Sequence, residues 1–188
     1  MGIFRNIFML FSFLFFMIIA LSGSVGTGKT SLANALGKYL NAEVWHLNEE
    51  AKKFTLSYDD AVDTFDFDLE ALLVAIEKKL GVWDLSSSLI LESHFAHHLS
   101  PEFVDVLFIV NRDLKALKHV YWERGYNEQK IVENLEVEAM DVCYQEALEE
   151  GWPRSRVFFV ANDREFDFIV KDLVKKLLKT KLRRKSGL

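Results

Sequence analysis

The stretch Gly23-Ser24-Val25-Gly26-Thr27-Gly28-Lys29-Thr30 constrains this chain more than any other. It is G-x-x-x-x-G-K-[ST] in full. An apolar run, Met17-Ile-Ile-Ala-Leu-Ser22, precedes it, and a run of helical period follows, with Leu32, Ala33, Leu36, Tyr39 and Leu40 on one face. Glycines let successive backbone N–H groups wrap around an anion without side-chain obstruction. The loop feeds a helix N-terminus, whose dipole favours negative charge. Lys29 supplies a cation to the β- and γ-phosphates, and Thr30 offers a hydroxyl to Mg²⁺. The string therefore predicts nucleotide binding. It leaves the reaction open, because kinases, GTPases and motors share this loop.

The rest of the chain alternates short apolar runs with amphipathic ones, the pattern of a parallel sheet covered by helices on both faces. Strands are expected at 17–22, 43–47, 88–92, 105–110 and 156–160. Helices are expected at 29–40, 69–80, 113–123, 129–150 and about 163–184. Asp68 is placed to cap the second helix, and Asn162-Asp163-Arg164-Glu165 has the form of a capping box for the last. The expected fold class is α/β, a five-stranded parallel sheet in 2-3-1-4-5 order. A chain of 188 residues, half of them hydrophobic, makes one domain with one full core and excludes a disordered chain. The net charge, 23 minus 28 or −5, excludes a general nucleic-acid coat, and DNA is not an expected partner. The single cysteine, Cys143, excludes an intramolecular disulfide and a cysteine-cluster metal site, and fits a reducing, cytoplasmic setting.

Residues 1–16 form a hydrophobic N-terminal extension. The apolar run that begins at Ile7, interrupted only by Ser12, is about fifteen residues, shorter than the roughly 20 a membrane span needs. Arg5 ahead of it gives it the look of a signal peptide, but cleavage near Ala20–Ser22 would remove the strand that the glycine loop requires. Two readings stay open: an upstream start chosen over Met9 or Met17, or a hydrophobic anchor. Without a real anchor, no membrane association is expected.

A second element faces the loop. Ser88-Leu-Ile-Leu-Glu92-Ser93-His94 is an apolar strand ending in a carboxylate. In P-loop folds the acid at the end of a strand neighbouring the first holds Mg²⁺ or its water. Glu92 fits that role, and His94, two residues on, is placed to orient a water or contact a phosphate. His97 and His98 have no cysteine or fourth ligand near them in sequence, so zinc is not expected there. The acidic residues Asp59, Asp60, Asp63, Asp66 and Asp68 form either a solvated face or a surface for a basic partner. The basic C-terminus, KLLKTKLRRKSGL, complements a helix dipole, with a ribosomal RNA contact as the alternative.

Arg124-Gly125-Tyr126-Asn127-Glu128-Gln129-Lys130 interrupts a helix at Gly125 and restarts one. Together with the glycine loop, Tyr58-Asp59-Asp60-Ala61-Val62-Asp63, Glu92-Ser93-His94, Glu133-Asn134 with Glu138-Ala139, and Asn162, it resembles the small nuclear-type adenylate kinases. These are the coilin-interacting ATPases linked to ribosome assembly, with their archaeal relatives. The pieces occur in family order over residues 17–175. The resemblance implies a nucleoside-monophosphate-kinase fold over 17–185, with a monophosphate-binding region near 44–67 and a small lid near 123–133. It implies ATP and Mg²⁺, transfer of phosphate from ATP to AMP or dAMP, and ATP hydrolysis. It implies that Gly23, Gly26, Thr27, Gly28, Lys29, Thr30, Ser31 and Asn162 bind ATP, and that Arg124 is the lid cation over the transferring phosphate. It further implies a role in small ribosomal subunit maturation and rRNA processing, with a basic small-subunit ribosomal protein as partner. This chain departs from the family in two ways. It has Glu92 where Asp is common, and residues 44–67 contain no arginine, only Lys52 and Lys53. A lysine is a point charge rather than a bidentate fork, so AMP capture is expected to be weak.

Overall fold

The sheet is organised around β1 (Ile18–Ser22), whose five residues are all buried. A computed structural model describes residues 17–59, 64–84 and 86–186. The N-terminal extension, Asp60 to Asp63 and the last two residues therefore lie outside the described residues. β1 runs parallel to β5 (Leu89–Glu92) on one side and to β6 (Val106–Asn111) on the other. β2 (Glu43–His46) adds parallel to β5, and β7 (Val157–Ala161) parallel to β6. The order β2-β5-β1-β6-β7 is the 2-3-1-4-5 arrangement expected from the sequence.

Strand alternation divides the core into two layers. Ile18, Ala20, Leu89, Leu91, Leu107 and Ile109 face one side. There they meet α2 (Leu47–Ala51), α3 (Leu69–Leu80) and α6 (Val142–Glu149), together with Phe95, Leu99 and Trp152. Met17, Ile19, Leu21, Ile90, Phe108 and Val110 face the other, under α1 (Lys29–Leu40) and α7 (Phe166–Ser186). Covering on both faces explains why the strands are continuous apolar runs. A small third cluster, Leu117, Tyr121 and Ile131, joins α4 (Leu114–Glu123) to α5 (Glu128–Ala139). An antiparallel hairpin, β3 (Thr55–Asp59) with β4 (Thr64–Phe67), stands apart from the sheet.

Three details differ from the sequence reading. The helix expected at 129–150 is two helices, because Asp141 adopts φ 51° and turns the chain between α5 and α6. The strand expected to end at Leu47 ends at His46, and Leu47 opens α2 as a fully buried residue. The capping box is not used: α7 starts at Phe166, and the Asn162 side chain turns to the glycine loop instead. Asp68 does cap α3, with Oδ1 accepting from the Ala71 N–H at 2.9 Å. Asp68→Ala should cost about 1 kcal/mol, a fall in Tm of roughly 2–4 °C by thermal denaturation. No helix among the described residues is long and apolar enough to cross a membrane.

Candidate active site

β1 delivers Ser22 to the carboxyl edge of the sheet, and the chain then turns through the glycine loop into α1. Gly23 has φ 134°, and a Cβ there would strike the carbonyl oxygen of Val110 on β6. Gly28, at φ 92°, is the N-cap of α1, and a Cβ there would collide with the Asn162 amide. These positions require glycine for both space and conformation.

The loop's carbonyls are held by its own side chains and by neighbouring elements. Ser24 O accepts from Thr27 Oγ1 and Lys29 Nζ, each at 2.9 Å. Val25 O accepts from the Tyr121 hydroxyl of α4 at 2.7 Å, and Gly26 O from Arg112 Nη1 at 3.3 Å. Thr27 O accepts from Asn162 Nδ2 at 2.8 Å. The Thr27 N–H also bonds to Ser24 O, at 3.4 Å; with successive carbonyls engaged by α4, the end of β6 and the β7–α7 connection, the loop's other N–H groups are the backbone dipoles left to face an anion.

Lys29 is buried in the first turn of α1, and burial pulls its pKa from 10.5 down to about 8. The charge of Glu92 works in the opposite direction. Glu92 ends β5, where the parallel register sets it beside Leu21 of β1 and His46 of β2. Glu92 is buried, and its Oε2 lies 2.9 Å from Nδ1 of the half-buried His46. Thr30 and Ser31 are exposed on the first turn of α1. A buried carboxylate and an exposed hydroxyl flanking the loop are hard oxygen donors, and they fit Mg²⁺ held by few protein ligands plus phosphate oxygens.

His94 stands at the rim with its ring edge-on to Phe95, centroids 5.1 Å apart. Part of its surface meets water, yet the chain packed around it, and then the Lys29 charge, pull its pKa down to about 4. At neutral pH it is an uncharged imidazole. Arg124 ends α4 on the exposed side, close enough for its charge to act on Lys29. Gly125 follows at φ 73°, and Asn127 caps α5 through the Lys130 N–H at 2.8 Å.

The structure thus gathers the glycine loop, Glu92, His94, Arg124 and Asn162 at one sheet edge. Two further residues were missed in the sequence. His46 carried no readable signal, because its partnership with Glu92 rests on the register of β2 against β5. Arg112 carried none, because its position over Gly26 depends on how β6 meets the loop. Lys52 and Lys53 are each paired to a glutamate of α2: Lys52 with exposed Glu49 and Lys53 with half-buried Glu50, both at 2.9 Å.

A parallel sheet in this order with a glycine loop after its central strand defines a P-loop nucleotide-binding protein. A family model described as an AAA domain matches residues 19–141. A protein of Methanosarcina barkeri named "Putative adenylate kinase" is 38% identical over 135 residues, 71% of each chain. A Methanocaldococcus jannaschii protein of the same name is 28% identical over 171 residues, 89% of this chain and 90% of its own. An "Adenylate kinase isoenzyme 6 homolog" of Schizosaccharomyces pombe is 31% identical over 138 residues, 72% of this chain and 77% of its own. The chain belongs to this P-loop family of adenylate-kinase-like proteins. Among solved structures, a Sinorhizobium meliloti gluconokinase superposes with TM-score 0.57 at 13% identity, over 92% of this chain and 98% of its own. Aquifex aeolicus shikimate kinase gives 0.53 at 16% identity, over 88% and 99%. At such identities these two establish the fold, that of small P-loop kinases.

Proposed function

We propose that this protein is an ATP-dependent adenylate kinase with ATPase activity, a single domain over 17–185 that acts in small ribosomal subunit maturation. The observation that carries the phosphotransfer reading is the convergence on one phosphate-sized loop of buried Lys29, the Glu92–His46 pair and Arg124. Phosphoryl transfer needs positioning and charge neutralisation more than covalent chemistry. Lys29 neutralises the β- and γ-phosphates, Thr30 and Glu92 hold Mg²⁺, and His94 orients the attacking group. Arg124, on the 123–133 lid, covers the transferring phosphoryl group. Gly23, Gly26, Thr27, Gly28, Ser31 and Asn162 complete the ATP site, and residues 44–67 take the monophosphate.

A second reading is a nucleotide-dependent assembly factor that binds a basic ribosomal protein and turns over little AMP. The pairing of Lys52 with Glu49 and of Lys53 with Glu50 favours it, because it leaves less positive charge for an acceptor phosphate. The acidic stretch supports it less than its sequence suggests: Asp68 caps α3 and Asp66 accepts from Ser57 Oγ at 3.0 Å. Asp60 and Asp63 lie outside the described residues.

A coupled assay with ATP alone, then with ATP plus each nucleoside monophosphate, separates the readings. Diphosphate production stimulated by AMP supports the kinase; its absence, with ATP hydrolysis retained, supports the assembly ATPase. In the first case, replacing Lys52 and Lys53 together by alanine should raise the KM for AMP and leave ATP hydrolysis unchanged, the kinetic mark of lost acceptor binding. An unchanged KM removes both lysines from the acceptor site.

A further inference from the structure

Behind the phosphate loop, four side chains able to ligate a transition metal meet from two elements distant in sequence. His97 and His98 come from the turn after β5, and Cys143 and Glu146 from one face of α6. His97 Nε2 lies 2.8 Å from Glu146 Oε2, and His98 Nε2 lies 4.0 Å from the same oxygen. The ligand atoms of His97, Cys143 and Glu146 all fall within 4.8 Å of one another.

The other ring nitrogens are also engaged. His97 Nδ1 is 2.6 Å from Ser22 Oγ, and His98 Nδ1 is 2.9 Å from Glu150 Oε1. Proton counting then becomes informative. The Ser22 hydroxyl has one proton, and its Oγ lies 3.1 Å from the His94 carbonyl, which can only accept. The shorter contact, 2.6 Å to His97 Nδ1, takes that proton, and the His97 Nε2–H then donates to the Glu146 carboxylate. His98 Nδ1 donates to the Glu150 carboxylate, which turns its Nε2 toward Glu146. A shared cation would take the place of the His97 Nε2 proton: the ring is then protonated at Nδ1, which donates to Ser22 Oγ, and the Ser22 hydroxyl turns to the His94 carbonyl. Metal-ligating histidines are oriented in this way, one nitrogen on the ion and the other on a fixed oxygen.

We propose that His97 Nε2, His98 Nε2, Glu146 and Cys143 form a site for a borderline-soft divalent cation, Zn²⁺, separate from the Mg²⁺ expected at the phosphate loop. Two imidazoles, a thiolate and a carboxylate suit tetrahedral Zn²⁺, whereas Mg²⁺ prefers oxygen ligands throughout. Metal–ligand bonds of about 2.0–2.3 Å set ligand atoms roughly 3.3–3.8 Å apart, so the three groups now within 4.8 Å of one another would draw in by about an ångström. His97 and Cys143 are buried, while the Glu146 side chain is 40% exposed and offers the way in. Ser22 directly precedes Gly23, so an ion here would clamp the 96–98 turn to α6 beneath the loop.

The test is a titration of the full chain with Co²⁺. Cys143 is the only thiol, so a thiolate-to-cobalt charge-transfer band reports this residue alone. One equivalent of Co²⁺ should produce that band together with visible tetrahedral d–d absorption. Zn²⁺ should bleach both, and excess Mg²⁺ should not. Cys143→Ala should lose the charge-transfer band. Glu146→Gln and His98→Ala, on the accessible side, should weaken Co²⁺ binding at least about tenfold. Absence of the band in the folded protein would overturn the site and leave Ser22, His97 and Glu146 as a hydrogen-bond relay. Equal affinity in both variants would equally overturn it, as adventitious thiol binding. Should either variant fail to fold, Zn²⁺ must still raise the Tm of the unmutated chain; no rise refutes the proposal.

Discussion

Lys29→Met is expected to abolish nucleotide turnover and, at neutral pH, to raise the Tm of the nucleotide-free protein. The two effects share one cause. The ammonium is held under the loop, where burial lowers its pKa from 10.5 to about 8. Below pH 8 the folded chain therefore carries a charge that it would rather lose. At about 1.4 kcal/mol per pKa unit, that destabilisation is on the order of 3 kcal/mol. It is complete below pH 8 and fades as pH rises from 8 to 10.5, because the unfolded chain then binds the extra proton. Methionine fills the same space without the charge, so the nucleotide-free protein should melt higher at pH 7, and the gain should shrink toward pH 10.5. Activity moves the opposite way. A phosphate supplies the anion that makes the buried cation favourable, and its loss should reduce turnover by at least about a hundredfold. Thermal melts across pH and a coupled ATP assay check both. A lower Tm at pH 7, or near-normal turnover, would remove Lys29 from its assigned role.

Arg124→Ala is expected to lower ATP-dependent turnover by roughly ten- to a thousandfold, the scale of losing one electrostatic stabiliser. The fall should be the same whether water or AMP accepts the phosphoryl group, because Arg124 is proposed to act on the group in transfer. It lies exposed at the end of α4. Its removal should therefore move the Tm little, as surface changes away from special features usually do. Loss of AMP-dependent turnover alone would shift Arg124 to the acceptor site, and unchanged rates would return it to an ordinary helix-end cation.

Several features of the fold are legible in the amino-acid string. The glycine motif announces its own conformation, because Gly23 and Gly28 occupy positions where a Cβ would strike Val110 and Asn162. The parallel sheet covered on both faces follows from continuous apolar runs alternating with amphipathic ones. Asp68 announces a cap. The capping box at Asn162 misleads, because its amide has a competing partner in Thr27 O, 135 positions away. The break between α5 and α6 is hidden because helical periodicity runs on through Asp141, a residue whose tolerance of the left-handed conformation leaves no periodic mark.

Local chemistry in the sequence thus settled the architecture and the glycine loop: glycine spacing, apolar period and helix caps act over a few residues, so a string of letters carries them. The partnerships that tune the loop became visible only in three dimensions. His46 meets Glu92 because β2 and β5 run in register, and Arg112 reaches Gly26 because β6 borders β1. His97 meets Glu146, 49 positions further on, because α6 packs across the end of β5. Such contacts depend on where separate elements are brought by burying their shared apolar faces. No local pattern records that placement, which is why the sequence gives no sign that Cys143 stands beside the histidines.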